Sequence, residues 1–110
     1  MAFSQKLAWE NLRSIDSSTF TGSYQALGTP LNHPGYIVKL VNNSNVLVTI
    51  STDGSHDMDV APANSFWLYD ESKSGTPPLQ QAIPANTQFY IKGSVGTGLV
   101  YLVVQYILNP

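Results

Sequence analysis

From Ser23 onward, apolar and polar residues alternate with a period of two, and turn-forming residues interrupt the alternation at intervals of about 8 to 12 positions. This is the rhythm of short strands in a sandwich or barrel, since successive side chains of a strand point to opposite faces. The pattern predicts about eight strands: Ser23–Leu27, Tyr36–Asn42, Val46–Ser51, Met58–Ala61, Ser65–Tyr69, Leu79–Ile83, Gln88–Lys92 and Leu99–Leu108. Ser14–Ile15 could add a short edge, and helix is nearly absent. The run Asn42-Asn43-Ser44-Asn45 tolerates left-handed backbone and bonds to its own turn, so it predicts a hairpin between the strands that flank it. Asp53-Gly54 predicts the next hairpin by the same rule. Pro62-Ala63-Asn64-Ser65 and Pro84-Ala85-Asn86-Thr87 read as two similar corners, in which Pro presets the first position and Asn takes the one that needs positive φ.

The faces of these strands differ. Val38 and Leu40 oppose Ile37, Lys39 and Val41, giving one core face and one mixed face. In the last strand Val100, Leu102, Val104, Tyr106 and Leu108 oppose Leu99, Tyr101, Val103, Gln105 and Ile107, so both faces are apolar and both need cover. The second cover is either the N-terminal segment or another chain. Residues 1–22 carry Phe3, Leu7 and Trp9 among polar residues without clear alternation, and read as an arm and approach segment to a sandwich domain over residues 23–110. Such an arm folds onto its own sandwich or is exchanged with a neighbour. On this reading, deleting residues 1–13 leaves the fold intact.

At 110 residues the chain makes one domain. Its charged share of 11% is less than half the usual value of about 25%. In place of charge stand 12 Ser, 8 Thr, 8 Asn and 6 Gln, a neutral hydrogen-bonding surface. Five scattered cations and a net charge of −2 make nucleic acid a poor partner. The absence of cysteine removes disulfides and thiolate chemistry together. The N-terminus has no apolar core of a secretory signal and carries Glu10 early, so synthesis in the cytoplasm is expected. The longest apolar run, Leu99–Val104, falls far short of the roughly 20 residues that span a bilayer, and no membrane partner is expected.

Catalytic chemistry is hard to find. Ser55, His56 and Asp57 are adjacent on an extended chain and point to alternate faces, and no glycine elbow exposes a nucleophilic serine, so an enzyme is not expected. Asp53, Asp57, Asp59 and His56 fall within seven residues, but the calcium-loop spacing is missing and the segment reads as a solvated hairpin tip. Gly93–Gly98 precedes a strand rather than a helix, which makes it a hairpin connection rather than a phosphate cradle. No cofactor or metal is expected. Trp67, Tyr69, Phe89, Tyr90, Tyr101 and Tyr106 are split between faces by the alternation, which favours core and interface packing; a sugar-stacking platform is the alternative. Asn42-Asn43-Ser44 matches a glycosylation acceptor, of no consequence for a chain that is not secreted.

The run Ile37–Ser51, the Asp53-Gly54 turn, the corner leading into Phe66-Trp67-Leu68-Tyr69-Asp70 and the stretch Ile83–Gly93 together resemble the phrasing of small structural proteins of tailed bacteriophages. In size the chain is most similar to the capsid decoration, or cement, proteins of short-tailed phages, over about residues 14–108. The resemblance implies a jelly-roll-like antiparallel β-sandwich on the outside of an icosahedral head, bridging major capsid subunits and stabilising the shell against internal DNA pressure. The implied partners are the major capsid protein and copies of the chain itself, a homodimer first, since two-fold contacts are commonest. The expected location is the virion surface. Phe3, Leu7 and Trp9 of the arm and Tyr101, Val103 and Ile107 of the last strand are the expected interface residues. A phage neck or tail component and a carbohydrate-binding β-sandwich are the alternatives.

Overall fold

In the computed structural model, which describes residues 6–70 and 82–108, nine strands succeed one another along the chain. They are β1 (Lys6–Trp9), β2 (Arg13–Asp16), β3 (Gln25–Ala26), β4 (Ile37–Ser44), β5 (Val48–Ser51), β6 (Asp59–Ala61), β7 (Ser65–Asp70), β8 (Tyr90–Lys92) and β9 (Gly98–Leu108). A 3-10 turn, Ser17–Thr19, lies between β2 and β3. The strands form two antiparallel sheets: β1–β9–β4–β7 with β2 also paired to β9, and β3–β8–β5–β6. Val38, Leu40, Val100, Leu102 and Val104 from the first sheet meet Val48, Ile50, Ile91 and Phe89 from the second, all buried. The protein is an all-β sandwich, as the alternation predicts, because one face of each strand has an apolar layer to bury and the two layers bury each other.

Seven of the eight predicted strands recur with their ends shifted, most severely Ser23–Leu27, which shrinks to Gln25–Ala26. Leu79–Ile83 lies largely outside the described residues, and Ile83 itself forms an isolated bridge to Gly35. The two Pro-Ala-Asn corners are as expected, with Asn64 at φ 56° and Asn86 at φ 70°. In each, the fourth residue donates back to the proline carbonyl, Ser65 to Pro62 at 3.1 Å and Thr87 to Pro84 at 3.3 Å. The hairpin expected at Asp53-Gly54 also forms, pairing Val48 with Ala61, Thr49 with Val60 and Ile50 with Asp59.

Two expected hairpins do not form. β4 and β5 lie in different sheets, so Asn42–Asn45 is a crossing between layers. Both edges of β4 are already taken, by β9 and β7, which leaves β5 no place beside it. Asn42 makes the crossing feasible. Its side chain is fully buried, with Nδ2 donating to the carbonyls of Val46, Ala61 and Pro62 at 2.8 to 3.0 Å. Its Oδ1 accepts from the backbone and hydroxyl of Ser44 at 3.1 and 2.6 Å. One amide thus satisfies a corner that would otherwise orphan several buried polar groups. Gly93–Gly98 likewise joins β8 in one sheet to β9 in the other. At its end Gly98 has φ 111° and a Cβ there would stand 2.3 Å from the Asn43 carbonyl oxygen, so only glycine admits this entry into β9.

Of the two readings of the N-terminal segment, the structure has the one in which it folds onto its own sandwich. β1 and β2 both pair with β9 of the same chain, Leu7 opposite Ile107 and Ser14 opposite Tyr101. They extend the edge of the five-stranded sheet.

Candidate functional site

Alternate residues of β9 face away from the core, and the register of the sheet sets their neighbours in rows. Leu7 sits beside Ile107; Trp9, Gln105, Ile37 and Asp70 form the next row; then come Val103, Lys39 and Leu68; then Ser14, Tyr101, Val41 and Phe66; then Asp16, Leu99 and Asn43. These rows are the outer face of the five-stranded sheet. Trp9 is 64% exposed, Phe66 57% and Leu68 47%. A groove of about 740 Å³ runs over the face between Trp9 and Phe66, with Lys39 in its floor and the amides of Asn43, Asn64 and Gln105 at its margins. With Leu7 and Leu99 at its two ends, the exposed residues of this face sum to on the order of 500 Å², comparable to the largest apolar patch of an ordinary domain, which is often functional.

Of the residues expected from the sequence to make contacts, Leu7, Trp9, Tyr101, Val103 and Ile107 share this one face, and Phe3 lies outside the described residues. Ile37, Val41, Phe66 and Leu68 belong to it too, beyond those expected. The signal was present in Ser65–Asp70, where four consecutive apolar residues leave no polar face, the same pattern that marks the last strand.

A buried charge cluster holds the margin of this face in place. Between β1 and β2, Glu10 has a side chain only 1% exposed. Its Oε1 accepts from Arg13 at 2.9 Å and from the Asn32 backbone at 3.2 Å, and its Oε2 lies 2.7 Å from His33 Nδ1. Arg13 in turn donates to the carbonyls of Thr29 and Pro30, and His33 stacks flat on Tyr106 with ring centres 3.6 Å apart. Burial alone would raise the Glu10 pKa, but the hydrogen bonds from His33, Asn32 and Arg13 outweigh it and hold the carboxyl below its ordinary value. Deleting residues 1–13 would therefore remove β1, Glu10 and Arg13 together.

The remaining chemistry-bearing residues are committed to local structure. His56 Nδ1 lies 2.6 Å from Asp53, whose carboxylate also accepts from the backbones of Ser55 and His56 and from Ser51 Oγ. These bonds hold the Asp53 pKa far below the usual carboxylate range. Ser55, His56 and Asp57 do not converge: Asp57 accepts from Tyr24 and pairs with Lys92 at 2.9 Å. Among the described residues no three His, Asp or Glu side chains are placed to share a metal ion. Trp67 faces inward, tilted against Phe89 at 6.0 Å, and donates its indole N–H to Asp59 at 2.6 Å. Asn42, in the glycosylation-like triplet, is wholly buried.

Comparison with known proteins finds no family model that matches the chain, no similar curated protein and no similar solved structure.

Proposed function

We propose that the chain is a structural assembly protein that docks on a larger protein shell through the outer face of its five-stranded sheet, as a capsid decoration protein of a tailed phage does. The observation that carries this reading is the contiguous apolar face on which five of the expected contact residues meet. An apolar sheet face left open to water is a liability unless something covers it. The likeness in strand and turn phrasing to phage decoration proteins supports the same reading. We also read the strand order, β1–β9–β4–β7 against β3–β8–β5–β6, as a jelly roll, with β1 and β2 as one interrupted strand.

The test is rate-zonal sedimentation of a lysate from the native source, counting this chain against the major protein of any fast-sedimenting particle by mass spectrometry. Near-stoichiometric recovery with a shell protein is the expected result. A dozen or so copies per particle would move the protein to a neck or tail. Recovery only at the top of the gradient would overturn the virion reading. A second reading, glycan binding, is favoured by the exposed indole of Trp9 beside the amide of Gln105. It predicts a shift of tryptophan fluorescence on adding glycan that is lost in Trp9→Ala.

A further inference from the structure

Lys39 stands at the centre of the docking face. On its own strand its same-face neighbours are Ile37 and Val41; directly across lie Val103 on β9 and Leu68 on β7. All four are aliphatic. Lys39 is exposed in the free protein, so its ammonium reaches water. A partner that covers the four must also cover the ammonium, and an unpaired ammonium in a dry contact gives up its hydration with nothing in return. We infer that the surface seated here belongs to a different protein, is apolar, and sets a carboxylate opposite Lys39. This rests on the docking role proposed above and specifies its chemistry.

A second copy of the chain fits this face poorly. A two-fold axis through its centre would bring two Lys39 ammoniums together inside a ring of aliphatic side chains, where like charges repel most strongly. Of the acids on the face, Asp16 stands at its far corner, and Asp70, one row from Lys39 and diagonal to it, is already engaged by a partner of its own. Contacts between copies are thereby assigned to other surfaces. The exposed apolar area, on the order of 500 Å², approaches the roughly 800 Å² that each side of a specific protein contact covers, with the polar margin making up the difference.

The experiment is rebinding of the purified chain to particles assembled without it, followed by sedimentation at rising salt, with the chain alone run in parallel. Leu68→Asp is expected to abolish rebinding. Lys39→Met, which keeps the stem and drops the charge, is expected to weaken it at least about tenfold and flatten its salt dependence, while Lys39→Arg stays within about threefold of the wild type. Circular dichroism checks that each variant folds, and Phe66→Ser replaces Leu68→Asp if that variant does not. Rebinding of Lys39→Met at wild-type strength, with Leu68→Asp still inactive, would remove the carboxylate and leave the docking role standing. Equal rebinding of all variants, or no particle that takes up the chain, would take down both. A concentration-dependent dimer of the chain alone that Leu68→Asp dissolves and Lys39→Met tightens would make the second copy the occupant and overturn the inference.

Discussion

On the outside of the four-stranded sheet, Thr49, Tyr90 and Lys92 lie in register, and Lys92 both pairs with Asp57 and sits 4.7 Å over the ring of Tyr24, whose hydroxyl donates to the same Asp57. On the outside of the five-stranded sheet, the corresponding positions carry Ile37, Val41, Leu68, Phe66 and Val103 around a lone lysine. Both faces come from strands that alternate with the same period, and both back onto the same core. The first is mixed: Val60 lies exposed opposite Thr49, but its lysine is paired within the chain. The second sets an unbroken group of aliphatic side chains around its lysine, and among the described residues Trp9, Phe66 and Leu68 of it stay exposed. A strand's inner face reports on the core, so it is the outer face, read residue by residue, that distinguishes a sheet that ends in solvent from one that waits for a partner.

This contrast can be broken in several places. The largest effect is expected along β9 itself. Leu102→Ala opens a cavity in the buried layer and should lower the unfolding free energy by about 2–5 kcal/mol in urea, whereas Val103→Ala, one residue on and facing out, should change it by about 1 kcal/mol or less. Comparable losses for the two would mean that the outer face is already covered in the free chain. Next in size is Glu10→Gln, which strands Arg13 and should cost about 2–3 kcal/mol at neutral pH. Because folding holds the Glu10 pKa below its ordinary 4.5, the folded state binds fewer protons than the unfolded one in the window between the two values. The Glu10 contribution is therefore full above about pH 4.5 and drains away as the pH falls through the folded value, and the acid limb of the stability curve should flatten in Glu10→Gln. A smaller effect is expected from Thr49→Glu on the solvated sheet, which should leave particle rebinding within about threefold of the wild type. Loss of rebinding in that variant would place the contact on the wrong sheet. Smallest is Tyr24→Phe. Burial first, and then the bond to the Asp57 carboxylate, push the Tyr24 phenol up to about 12. The variant should keep its unfolding midpoint while its ultraviolet titration loses the highest phenolate step.

Much of this was legible along the chain. Alternation located most strands and set Val38 and Leu40 on one face, which is buried. The two Pro-Ala-Asn corners declared their positive φ through residue type alone. The doubly apolar last strand marked a second side that needs cover. β1 escaped notice because Lys6–Trp9 is four residues long and has only the length of β9 to recommend it as a strand. Phe66 and Leu68 are harder to place, because in the unbroken apolar run Phe66–Tyr69 nothing local says which side meets the core. The Glu10, Arg13 and His33 cluster spans 23 positions in sequence, and nothing local marks its members as partners.

By itself the sequence determined the class of fold, the faces of the strands and the turns whose residue types demand a backbone conformation, because all of these depend on a few consecutive residues. Only the tertiary structure decided which strands share a sheet. A period of two says which way a side chain points and nothing about which strand lies alongside, so Asn42–Asn45 and Gly93–Gly98 read as hairpins when they are crossings. The choice between the two belongs to the rest of the molecule: β9 and β7 occupy both edges of β4, and the buried amide of Asn42 makes leaving the sheet as well bonded as staying in it.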